Sequence, residues 1–203
     1  PALGKFCRFL NKRGILTAQL DLAAIGDVPA DASLVVLAGP SQDLFAPEAN
    51  ALSDYLKNRH GKLLVMLDVP SKEFFASMRN IEGLLGDWGI AVPNTVILDL
   101  LSNQLGYSPA QPIVSAYDSS HPITRDMGAR SQRFALNLVR PIEVTQVPPE
   151  MKATALISSS KASWNEELAV VLAKDKVAPP PKDKWQAQAM GVAVGEADPP
   201  AIP

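Results

Sequence analysis

The sequence predicts an α/β protein built on a mainly parallel, doubly wound sheet. Three observations lead there. Helix-like and strand-like patterns alternate through the first half of the chain. The pieces LVVLA (34–38) and KLLVML (62–67) are apolar runs without polar alternation, as in strands covered on both faces. Helical connections between such strands imply right-handed crossovers and a sheet sandwiched by helices.

Each element has its own signal. Leu3, Phe6, Cys7 and Leu10 fall at helical spacing, and Gly14 is placed to end that helix. ILTAQLDL (15–22) has the composition of a strand, and AIGDVPADAS reads as a polar loop. After LVVLA, Pro47 suits the first turn of a helix whose stripe is Ala49, Leu52 and Leu56, and His60-Gly61 stops it. KLLVML follows and ends at Asp68. A helix is then expected over about 71–88, interrupted near Gly83 or Gly86 and closed by Gly89 before IAVPNTVILD. In the second half IVSAY, RFALNLV, TALISSS and AMGVAV read as strands, and WNEELAVVLA as a helix or mixed segment. APPPKDK (178–184) is an exposed proline-rich loop, and the residues from 195 to 203 form a tail.

With 203 residues and no boundary in composition, a single α/β domain over 1–203 is expected. Nineteen Lys and Arg oppose 21 Asp and Glu, a net charge of −2, and no basic block stands out, so nucleic acid is not the expected partner. One cysteine permits neither an internal disulfide nor a zinc site. The chain opens at Pro1 inside a helical pattern without an initiator methionine and reads as a piece of a longer protein.

The candidate site lies where the strands end. Gly39-Pro40 breaks LVVLA, and ligands in open α/β sheets bind outside the carboxyl ends of strands. Asp68 and Ser71 follow the next strand and are expected on the same edge. A phosphate cradle needs several glycine amides, but here proline removes a donor and no glycine fingerprint or lysine is present, so the pair reads foremost as a turn. Asp68 reads foremost as a cap. SAYDSSHPITRDM is the densest polar stretch, and its Ser119 and His121 are the other candidates. His121 has the chemistry of a general base, but His-Pro-Ile-Thr also reads as a turn. Cys7, on a helix stripe rather than a nucleophile elbow, reads as core. No catalytic residue, metal ligand set or cofactor is assigned.

Four stretches together resemble a known family. They are VPADASLVVLAGPSQDLFAPEANALSDYLKNRHGKLLVMLD, LLGDWGIAVPNTVILD, SSHPITRDM and ALISSSKASWNEE, and they occur in the family's order. The family is the auxiliary component of an uncharacterised ABC-type transport system, which includes gliding-motility-associated transporter proteins. The resemblance implies a flavodoxin-like domain related to class I glutamine amidotransferases. It implies a membrane-anchored parent, with this domain on the extracytoplasmic, periplasmic face. The partners it implies are ABC permease and ATPase subunits or envelope proteins, in a non-catalytic interaction role. The alternative is an amidotransferase-like or hydrolase-like enzyme, or a small-ligand sensor, using the strand-end cleft. Two departures stand out. The family's glycine pair is here His60-Gly61, and a Ser or Thr ahead of the second helix is here Ala46. The family also carries a first strand before the helix at Leu3, so a central strand is expected to be missing from this chain.

Overall fold

A computed structural model describes residues 3–69, 78–130, 133–173 and 177–197. The chain falls into two compact units. One comprises Pro1–Val36 with Leu44–Leu64, the other Leu37–Asp43 with Val65–Pro203.

The first unit holds three helices. The apolar stripe predicts α1, Leu3–Asn11, and Gly14 follows it at φ +78°. The stripe buries none of its residues. ILTAQLDL is not a strand. A strand needs a ladder, and the Ile15 amide instead returns to the carbonyl of Leu10, while Leu16 is 93% exposed. Asp21 then accepts from the Ala24 amide and starts the short α2, Leu22–Ile25.

Helix α3, Ala46–Lys57, carries proline in its first turn, as expected. Phe45 occupies the cap position and has no side-chain acceptor. Glu48 supplies the other half of a capping box by accepting the Phe45 amide at 2.8 Å. Leu52 and Tyr55 of α3 are buried, as are Val28 and Val35. The Tyr55 hydroxyl donates to the Ala32 carbonyl, and Arg59 reaches the carbonyl of Val28 and the carboxylate of Asp27. These bonds fasten the loop ahead of β1, Val35–Ala38, to the helix.

β1 pairs with β2, Leu63–Met66. The Val35 amide meets the Lys62 carbonyl and the Gly39 amide meets that of Met66, a constant offset that makes the pair parallel. The strands are not covered on both faces. Val35 is buried, but Leu34, Val36 and Leu64 are exposed.

The second unit contains α4, Arg79–Gly86; β3, Ile90–Ala91; β4, Thr95–Asp99; α5, Leu100–Gln104; β5, Ala116–Tyr117; α6, Arg125–Ala129; β6, Glu143–Val144; β7, Met151–Ser158; β8, Ser163–Glu167; α7, Leu168–Ala173; a 3-10 turn, Lys182–Lys184; and β9, Ala189–Glu196. Only the later part of the helix expected over 71–88 falls on described residues, and it is α4. The described pairings here, β3 with β6, β4 with β8, and β5 and β9 on either side of β7, are antiparallel.

WNEELAVVLA is mixed, as expected, passing from β8 into α7. RFALNLV forms one isolated bridge, Ala135 to Ile113, instead of a strand. Leu136 donates to the carbonyl of Pro112, but proline has no N–H to return, and Leu138 turns to φ +50°. The apolar centre is Ile97, Val114 and Met190, with Tyr117, Leu136, Val139 and Ile157 packed against it. The proline-rich loop is tied down where the Trp185 indole donates to the Pro180 carbonyl at 2.9 Å and stacks on the buried Trp164.

Candidate functional site

Gly39 and Asp68 come together. Gly39 ends β1 at φ +55°, and a Cβ added there would lie 2.8 Å from Asp68 Oδ2. The corner therefore needs glycine for its left-handed backbone and for the close carboxylate. Pro40 is half-buried, whereas Gly39 and Asp68 are exposed. Ser71 lies outside the described residues.

Asp43 caps α4. Its two carboxylate oxygens accept the amides of Asn80 and Ile81 at 2.9 and 3.1 Å. A carboxylate there satisfies orphan amides and complements the positive end of the α4 dipole. Asp43 lies 37 residues ahead of Asn80 in the chain, beyond the reach of any local capping pattern.

Ser119 and His121 sit in a separate polar turn, and no described hydrogen bond joins them to Gly39 or Asp68. Asp118 organises this turn. Its Oδ1 accepts from the Ser120 hydroxyl at 2.6 Å and from the Ser120 and His121 amides, both at 2.8 Å. These bonds, that from the Ser120 hydroxyl foremost, hold the Asp118 carboxyl below its ordinary pKa. The Ile123 amide donates to His121 Nδ1 at 3.2 Å, so that nitrogen is occupied as an acceptor. Thr124, buried, donates to the Asp118 carbonyl. The His-Pro-Ile-Thr stretch is thus a hydrogen-bonded entry to α6. Ser119 is exposed.

A third cluster lies deeper. Asp99 is fully buried at the end of β4. Its Oδ1 accepts the Ser160 hydroxyl at 2.6 Å and the Leu101 amide at 2.9 Å, and its Oδ2 accepts the Ser160 amide at 3.0 Å. Ser159 and Ser163, also buried, share a 2.6 Å hydroxyl contact. Ser159 Oγ accepts the Gln188 amide, and the carbonyls of Ser160 and Gln186, 2.7 and 2.8 Å from Ser163 Oγ, are alternative acceptors for its one proton. The network joins β4, the β7–β8 connection and the approach to β9. Every hydroxyl in it is engaged and buried, an arrangement that fixes chain paths. Nothing in the spacing of NTVILD and SSSKASW signals that the two stretches meet.

An apolar hollow of about 300 Å³ lies between the end of α4 and residues 90–93, and Glu82 and Thr145 supply polar groups. Beside it Arg140 donates to the carbonyls of Val92 and Pro93. Burial lowers the Arg140 pKa, and the Glu82 carboxylate opposes the shift. Among the described residues, none of the sequence candidates lines this hollow. Cys7 is half-buried on a helix without buried residues and is not core.

Among the described residues no group of three or more His, Cys, Asp or Glu is placed to hold a metal ion. Among them, too, no helix is long and apolar enough to cross a membrane.

The geometry defines a chain of mixed helices and small, mostly antiparallel sheets whose polar clusters cap helices and join strands. The chain belongs to the family described as an ABC-type uncharacterized transport system, which matches residues 8–196. That membership makes it an auxiliary component of such a system. No curated protein matches the chain. Among solved structures, the mmIFT52 N-terminal domain is similar, with a TM-score of 0.51 and 20% identity over 77% of this chain and 67% of that one. At that identity the likeness speaks to fold alone.

Proposed function

We propose that this chain is a non-catalytic interaction domain of a membrane-anchored protein that works with an ABC transporter on the extracytoplasmic face of the membrane. Its partners are the permease and ATPase subunits or envelope proteins, within the branch that includes gliding-motility-associated transporters. The family match over residues 8–196 carries the reading. Two features support it. The His121 ring pairs with a backbone amide, and the buried serines are committed to Asp99, to backbone groups or to one another. For the fold we propose a flavodoxin-like, doubly wound arrangement resembling class I glutamine amidotransferases, supported by the parallel β1–β2 pair with α3 between its strands.

The location is tested by expressing the tagged parent protein and treating intact spheroplasts with protease. Digestion of this domain with the cell interior intact is the expected result. Protection until the membrane is broken would refute the extracytoplasmic placement.

A further inference from the structure

We infer that the outer edge of β9 pairs with β9 of a second copy of this chain, in an antiparallel two-fold that joins their sheets. In the order β5-β7-β9, β7 covers one side of β9. On the other side the Ile142 amide donates to the Ala189 carbonyl and closes the edge there. Among the described residues, nothing outside β7 bonds the backbone of residues 190–196. The ladder sets the direction of these open groups. The Ala197 amide donates inward to the Glu150 carbonyl. From the Met151/Glu196 pair to the Ala155/Val192 pair the register is unbroken, and the irregularities lie beyond it, towards Ala189. Alternation along an antiparallel strand then turns the N–H and C=O of Glu196, Val194 and Val192 away from β7. Such a row is a template for another strand, and natural edges block it with lysine or proline. Residues 190–195 hold no charge and no proline.

The sequence singles out a second copy as the occupant. Residues 191–195, Gly-Val-Ala-Val-Gly, read the same in both directions about Ala193. Ala193 is also the midpoint of the open edge. A two-fold through it sets Val192 opposite Val194 of the second copy, so that each outward N–H meets an outward C=O. Ala193 faces its own counterpart in the position without hydrogen bonds, where Cα atoms approach to about 4.5 Å and a methyl group fits. Gly191 faces Gly195. Glu196 faces Met190, and the two Glu196 residues lie at opposite ends, about 20 Å apart along the strands. No like charges meet. Val192, Ala193 and Val194 are already half-buried, so the pairing rests on backbone bonds. The contact is smaller than a standard interface, and the dimer is weak, with a Kd of about 10–100 µM. The two-fold closes, so assembly stops at two. This edge lies in the second unit, whereas the strand expected ahead of Leu3 precedes a helix of the first. The inference stands on β9 and does not depend on the transporter reading.

Sedimentation equilibrium on the 203-residue chain, from below to above that concentration range, should move from the mass of one chain to that of two and no further. Val194→Pro removes an N–H that points away from β7 and should weaken association at least about tenfold, with circular dichroism unchanged. Ala193→Lys and Ala193→Glu each set like charges across the two-fold, so each alone should be monomeric, and their equimolar mixture should restore a dimer holding one of each. In a Cys7→Ser background, Ala193→Cys should oxidise to a disulfide-linked dimer, and Gly195→Cys, which faces Gly191, should not. A monomer throughout the series, assembly beyond two, or a dimer indifferent to the proline and charge variants would overturn the inference. So would a Lys and Glu mixture that stays monomeric, or cross-linking of Gly195→Cys as readily as of Ala193→Cys. The charge mixture decides the question even if the proline variant fails to fold.

Discussion

Replacing Asp99 by Asn tests whether the buried polar cluster holds the second unit together. The carboxylate is fully buried and accepts three hydrogen bonds, two from Ser160 and one from Leu101. An amide keeps one oxygen. If that oxygen stays where it meets the Ser160 hydroxyl and the Leu101 amide, the new NH2 faces the Ser160 amide, donor against donor. One charge-assisted bond is lost and a buried N–H is left unsatisfied, at a cost of about 2–4 kcal/mol. Reversing the amide sets a donor against Leu101 instead and costs as much. Urea unfolding followed by tryptophan fluorescence is the assay, because Trp88, Trp164 and Trp185 all belong to the unit that contains Asp99. A cycle with Ser160→Ala separates the pair from the rest, and a coupling of at least about 1 kcal/mol is expected. An Asp99→Asn chain within about 0.5 kcal/mol of the parent would refute the reasoning.

Gly61→Ala should destabilise the first unit by about 1–3 kcal/mol, because the added Cβ overlaps the ring of the buried Tyr55, and circular dichroism during denaturation will read it. His60→Gly should do the reverse. His60 sits at φ +50°, a conformation that costs a side-chain residue about 1–2 kcal/mol, and subtracting the extra chain entropy of glycine leaves a gain of about 0.5–1 kcal/mol in the same assay. Because Asp118 is held below its ordinary value of 3.8, its turn is stabilised above that pH. The stabilisation is lost as pH falls through the lower folded-state value, so the Ser120 and His121 amide resonances should shift in that acid range. Asp118→Asn should remove the acid transition from those amides, and an unchanged titration would contradict the assignment.

Periodicity revealed the elements whose signal is local. The α1 stripe, the proline of α3, the apolar runs of β1 and β2 and the switch within WNEELAVVLA were all legible. Elements that depend on a distant partner were not. ILTAQLDL has strand-like residues but makes no ladder, and RFALNLV meets Pro112, which lacks the donor for the return bond. The departure at His60 was visible as a missing glycine, but only the positive φ explains why glycine suits that position. At the candidate site, the approach of Gly39 to Asp68 was expected from the rule that strand ends converge. Asp43 on α4 and Asp99 with Ser160 were invisible, since their partners lie 37 and 61 residues away and carry no shared pattern. Burial was the least legible property. The unbroken apolar run at β1 implied two covered faces, yet one lies open at Leu34 and Val36.

The most direct test of the central claim is co-purification. The full-length parent protein is tagged, the membrane fraction is solubilised gently, and the retained proteins are identified. Recovery of an ABC ATPase together with its permease is the expected result. A parent protein that stays out of the membrane fraction and retains neither subunit would contradict the assignment of this chain to a working transport system.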